Sequence, residues 1–76
     1  MTLDYKMSPE ITEELGILSI SRAGWRLELN RVAWGHHNPK YDLRLWSPDH
    51  LIASKGMTLT DSELENLYDI LKGIFE

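Results

Sequence analysis

The chain contains no cysteine, one phenylalanine and three prolines. The missing cysteine excludes disulfides and thiolate zinc sites. No apolar run approaches the ~20 residues that a membrane-spanning helix needs. Met1–Glu10 carries Asp4 and Glu10 without an apolar stretch, so no secretory leader is expected and the cytoplasm is the expected compartment. Signatures of catalysis are absent too. Ser8, Ser19, Ser21, Ser47, Ser54 and Ser62 sit in no nucleophile elbow, and no glycine-rich phosphate loop occurs. Neither an enzyme nor a small-molecule substrate is expected. His36 and His37 are adjacent in a turn and cannot easily turn both rings onto one ion. Neither they nor His50 has carboxylates at ligand spacing, so no metal or cofactor is expected. Cations are scarce: eight Lys and Arg stand against twelve Asp and Glu, for a net charge of −4.

What is present is one small domain, with residues 1–10 a loosely ordered lead-in and 11–76 the folded unit. A core of this size supplies only ~3–5 kcal/mol of net stability, and a second subunit is the natural supplement. The charge is unevenly spread. Residues 1–21 hold Lys6 against Asp4, Glu10, Glu13 and Glu14, a balance of −3. Residues 22–55 hold six cations (Arg22, Arg26, Arg31, Lys40, Arg44 and Lys55) against Glu28, Asp42 and Asp49, a balance of +3. Residues 56–76 return to −4. Local charge sets the field that a phosphate chain meets, so the basic middle admits a polyanion partner.

Alternation of side chains marks the strands. A first strand is expected over about Ile17–Ser21, with an irregular extension reaching back toward Ile11, because Gly16 disfavours a helix there. Arg22-Ala23-Gly24 turns into a second strand, Trp25–Trp34. Its phase is ambiguous: a β-bulge near Asn30-Arg31 would put Val32 and Trp34 with the leucines, whereas without one Trp34 shares a face with Arg26 and Asn30. Gly35–Pro39 is a hairpin connection. In the third strand, Lys40–Trp46, residues Tyr41, Leu43 and Leu45 form the expected core face. Lys40, Asp42, Arg44 and Trp46 point the other way, and Asp42 is expected to pair across strands with a cation. In the turn out of this strand, Asp49 is expected to accept a backbone N–H beside His50. Gly56–Leu59 is a short fourth strand, with Lys55 at the loop–strand junction.

A helix follows. Thr60 is an N-cap with Glu63 three residues on, a capping box, and Leu59 with Leu64 supplies a hydrophobic staple. Leu64, Leu67, Tyr68, Leu71, Ile74 and Phe75 recur at three- and four-residue spacing, and Ile70 widens the stripe. The order predicts an α+β fold, a curved four-stranded antiparallel sheet with one C-terminal helix (ββββα). The helix is expected to cover about half of one sheet face. The surplus width of its stripe predicts a homodimer through Tyr68, Ile70, Leu71, Ile74 and Phe75.

Trp25, Trp34 and Trp46 lie in or beside strands that carry arginine. Aromatic faces stack bases and cations neutralise phosphates, so this mixture suits unpaired nucleic acid. Trp46, sharing a face with Arg44 and Lys40, is the indole least expected in the core. Tyr41-Asp42-Leu43-Arg44-Leu45-Trp46, then Lys55-Gly56-Met57-Thr58-Leu59-Thr60 and a helix, resembles the transcriptional coactivator positive-cofactor-four family. The runs Gly24-Trp25-Arg26, Glu28-Leu29-Asn30-Arg31-Val32 and Trp46-Ser47-Pro48-Asp49-His50 look like its small bacterial YdbC-like branch. The resemblance spans about Glu13 to Ile74. The eukaryotic members carry one more residue between the strand Arg and Trp, and a lysine- and serine-rich regulatory tail that has no counterpart here.

The resemblance implies a homodimer that binds single-stranded DNA with little sequence preference, in transcription or in repair and replication, in a bacterial nucleoid. By position it implies contacts from Arg44, Trp46 and Lys55, with Trp34 and Arg31 near family contact positions. Together with Trp25, Arg26 and Lys40 from the residue pattern, these are the expected nucleic-acid-binding residues. RNA in place of DNA, or a protein-interaction role in the transcription machinery, are the competing expectations.

Overall fold

The computed structural model describes residues 9–76, with side chains from residue 10 onward. Four strands precede one helix: β1 (Pro9–Ile20), β2 (Arg26–Trp34), β3 (Lys40–Trp46), β4 (Ala53–Leu59) and α1 (Asp61–Phe75). The strands pair antiparallel in the order β1-β2-β3-β4, an open curved sheet, and the fold is the expected ββββα.

β1 begins well before the expected Ile17 and takes in Pro9 and Glu10 of the expected lead-in, whose residues 1–8 lie outside the described ones. A proline suits this first position because an edge strand need not donate there. The strand escapes an alternation test because its register against β2 shifts three times, between Ile11 and Glu13, Glu14 and Gly16, and Ile17 and Ser19. Thr12, Leu15 and Leu18 are therefore extra residues, and the repeat of inward positions stretches from two to three. Such bulges tighten local twist. Thr12 Oγ1 donates to the Arg31 carbonyl (3.1 Å).

β2 starts at Arg26, so Trp25 belongs to the preceding turn, where its N–H donates to Ser21 Oγ (3.0 Å). β4 starts at Ala53, so Lys55 lies inside the strand and not at its entrance. β2 and β3 pair residue for residue, from Arg26 opposite Trp46 to Val32 opposite Lys40. No bulge interrupts β2 at Asn30-Arg31 in this pairing, and the ambiguous phase resolves with Trp34 on the face of Arg26 and Asn30. Facing residues share a side of the sheet. One face carries Arg26, Glu28, Asn30, Val32, Lys40, Asp42, Arg44 and Trp46; the other carries Leu27, Leu29, Arg31, Tyr41, Leu43 and Leu45.

The polar face is the buried one. Among the described residues Val32 and Trp46 are the buried apolar ones, and Glu28, Asn30, Asp42 and Ser47 are buried with them. The expected core face is overturned: Leu45 is 37% exposed and Leu27, Leu29 and Leu43 are only half-buried. Two physical causes act together. Side chains on the polar, inner side pair and pack with one another, and among the described residues nothing closes over the outer, leucine side. The helix does not lie across the sheet as expected. It buries no residue, and Leu64 alone is even half-buried. Its start is well specified, with Thr60 Oγ1 accepting from the Glu63 N–H (3.2 Å) and Glu63 Oε1 accepting from the Thr60 N–H (2.8 Å). Arg31 Nη1 ties Asp61 to the sheet at 3.4 Å. Among the described residues no helix is long and apolar enough to cross a membrane.

Candidate nucleic-acid interface

The centre of the polar face is an ion pair. Asp42 is 1% exposed, and Arg44 donates to both its oxygens, from Nε and Nη2, at 2.7 Å each. The partner is two residues along the same strand, not across the sheet as expected, because residues i and i+2 share a face. Arg44 Nη1 donates to the Ser54 carbonyl (3.1 Å). A register shift in β4 between the partners of Arg44 and Trp46 frees that carbonyl. Gly56 lies opposite Arg44, and a Cβ there would run into the Arg44 Cβ and the Leu43 carbonyl. The Arg44 guanidinium sits 4.8 Å from the centroid of the Trp34 ring. Three of its N–H groups are engaged and its charge is balanced by Asp42, so it orients Trp34 more than it offers a free cation.

Trp46 differs from its expected role. It is 6% exposed, and His50 stacks on it with ring centroids 4.2 Å apart and planes within 2°. The Ser47–Ile52 turn folds His50 back over the indole. Ser47 Oγ donates to Asp49 Oδ1 (2.7 Å), the same oxygen accepts from the Leu51 N–H (3.0 Å), and the Ser47 N–H reaches the Ile52 carbonyl (2.8 Å). The expected Asp49 turn contact is therefore present. Trp46 serves as core beneath an imidazole and not as an open stacking surface. The ring of His50 was not singled out in the sequence, because its partners Trp46 and Glu28 meet it only in three dimensions.

Glu28 lies beneath the same imidazole. His50 Nε2 stands 3.0 Å and 3.1 Å from its two oxygens, Asn30 Nδ2 donates to Oε1 (3.0 Å), and Arg26 Nη1 is 4.0 Å away. Burial pushes this carboxyl up, but the hydrogen bonds from Asn30 and His50, with the nearby charges of His50 and Arg26, outweigh it and hold Glu28 below the ordinary carboxylate value.

The other end of the polar face lies at the β2–β3 hairpin. Trp34, His37, Asn38, Lys40, Arg44 and Thr58 line a cavity of about 300 Å³. Trp34 is half-buried, and its Nε1 is buried without a hydrogen-bond partner. Lys40, His36 and His37 are exposed. Trp34, whose face the sequence left open, is thus brought together with Lys40 and Arg44, and Asn38 and Thr58 join them without any sequence signal. Arg26 stands at the far end of β2 with its side chain 39% exposed. Arg31 does not join the group: it lies on the opposite face, over the Tyr41 ring (4.8 Å) and paired with Asp61. Lys55 also falls outside it, beside Leu45 and Met57.

No family model matches the chain. The chain is 45% identical over 65 residues to an uncharacterized protein of Treponema pallidum (strain Nichols), an alignment that covers 86% of this chain and 76% of that protein.

Proposed function

The chain belongs to the family of that Treponema pallidum protein, and we propose that it is a homodimeric, non-enzymatic protein that binds single-stranded DNA with little sequence preference, in the bacterial cytoplasm at the nucleoid. The observation that carries this reading is the cavity at the β2–β3 hairpin, where a half-buried indole, an exposed lysine, an amide and an imidazole converge. An indole face takes any base, and Lys40 stands where a passing phosphate would be neutralised. The residue pattern that resembles the positive-cofactor-four family supports the same reading. Service in transcription, or in repair and replication, belongs to this proposal.

The dimer rests on surface. Tyr68, Ile70, Ile74 and Phe75 are 62–81% exposed on one helix, and Leu45 and Met57 are exposed on the leucine side of the sheet. A lone small chain rarely leaves so much apolar surface wet. A second copy would cover the helix stripe and join two strand-binding faces.

Titration of labelled oligonucleotide at two salt concentrations tests the reading. Binding to a single strand should exceed binding to duplex of equal length and should weaken as salt rises. Equal affinity for duplex would refute it. Matched RNA oligomers decide between the two nucleic acids, which differ at the 2′-hydroxyl. Association with a transcription protein that ignores oligonucleotide would favour the interaction-module alternative.

A further inference from the structure

The imidazole of His50 is held in one pose from three sides. Its inner face lies on Trp46, parallel within 2°. Its Nε2 faces the buried Glu28 carboxylate at 3.0 and 3.1 Å. Its backbone is left-handed (φ 64°), a conformation that non-glycine residues adopt uncommonly, and its N–H donates to the Ser47 carbonyl (2.8 Å). The side chain nevertheless remains 32% exposed. It borders a second cavity on the polar face, of about 530 Å³, whose other walls include Leu15 and Ile17 of β1, Arg26, Glu28 and Asn30. The ring is thus fixed on one face by Trp46, while part of it stays exposed and borders that cavity.

We propose that His50 is a base-binding residue: a nucleobase enters the β1-side cavity and stacks on the outer face of the imidazole, continuing a column of base, His50 and Trp46. The inference rests on the single-strand-binding reading above and adds a second subsite at the opposite end of β2 from Trp34. Leu15 and Ile17, 42% and 52% exposed, supply the apolar edge against which a base would lie. Arg26, with its side chain 39% exposed, stands at the same cavity, where the sugar–phosphate backbone would remain outside. The carboxylates of Glu14 and Glu28 also line the cavity, so the subsite admits the base and not the phosphate. Trp46 contributes indirectly. It is the fixed floor that keeps the imidazole flat, and Glu28 is the positioning residue that fixes its rotation.

The test uses the full chain and a mixed-sequence single-stranded DNA oligonucleotide. NMR titration should move the His50 Cδ2–H and Cε1–H signals upfield, the ring-current mark of a stacked base, alongside the Trp34 signals. His50→Ala should weaken binding about tenfold, within the range for loss of one stacked base. His50→Phe keeps a flat ring without the nitrogen and should bind within about threefold of wild type, on the same stacking argument. Three results would overturn the inference: His50 signals unmoved at saturation, an Ala variant that binds like wild type, or a folded Phe variant as weak as Ala. If Trp34 signals shift while those of His50 do not, the second subsite fails and the strand-binding reading stands. If wild type does not bind the oligonucleotide, both fail. Should the Ala variant not fold, the wild-type titration decides alone.

Discussion

The two faces of this sheet invert the usual arrangement. The face built from Glu28, Asn30, Asp42 and Arg44 is packed and buried, while the face built from Leu27, Leu29, Leu43 and Leu45 is half-open. The inner face is closed at its centre because the buried charges there are paired on the spot. Asp42 takes two hydrogen bonds from Arg44, and Glu28 takes them from Asn30 and His50. Among the described residues the outer face is left incomplete, since the helix that follows β4 buries none of its residues. One face is held at its centre by paired charges, and the other stays apolar and half-open. Truncations on the inner face should therefore act within the chain, and those on the apolar surfaces through association.

The largest effects are expected on the inner face. Asp42→Ala would strand the Arg44 guanidinium beside Trp34 and should cost about 3–5 kcal/mol. Trp46→Ala removes a buried indole and the floor under His50, at a similar cost of about 3–5 kcal/mol. Denaturant titration at two protein concentrations checks both. The losses should be the same at each concentration, and a loss that shrinks at high concentration would place these residues in an interface instead.

Leu71→Glu comes next. It puts a charge in the apolar helix stripe, where Leu71 is 38% exposed. Association should weaken by about 2 kcal/mol or more, read by sedimentation equilibrium, while helix content by circular dichroism is retained. A chain that sediments as a monomer before the substitution would leave the helix stripe without its proposed cover. Trp34→Ala should follow, lowering affinity for single-stranded DNA about tenfold, the share of one base on one aromatic, with little change in the unfolding midpoint.

The smallest effect separates the faces by pH. Because the folded-state pKa of Glu28 lies below its ordinary value, its contribution to stability is present above that value and disappears as pH falls through the lowered one. Wild type should lose stability below about pH 4, near the ordinary glutamate value, and Glu28→Gln should lose less over the same range. Asp49 and Glu63 share the sign, Asp49 through hydrogen bonds from Ser47 and Leu51 and Glu63 through those from Thr60. Stability measured from pH 7 to 3 in both proteins checks the difference, and parallel curves would remove Glu28 as its source.

What was legible in the sequence was what neighbouring residues decide among themselves. Thr60 and Glu63 cap the helix because each finds its partner three residues away. Lys40–Trp46 reads as a strand because its alternation is unbroken, and its bounds match those observed. β1 was only partly legible, since its three register shifts break the period on which such a reading depends. The candidate site divides in the same way. Trp34, Lys40 and Arg44 stood out by residue type and do converge. Arg31 and Lys55 stood out equally and fall elsewhere, because face and strand boundary, not charge, decide where a cation goes.

The sequence by itself determined the order of elements, the helix start and the parity of β3. Those are set by capping, alternation and turn chemistry within a few residues. Only the tertiary structure decided which parity is buried. Parity says that Leu43 and Asp42 point oppositely, but not which side of a curved sheet is inner, nor whether a helix returns to cover the other. The pairing of the polar side chains and the departure of the helix resolved both. They left the leucines facing outward, while the turn after β3 folded His50 over Trp46 and made the indole core.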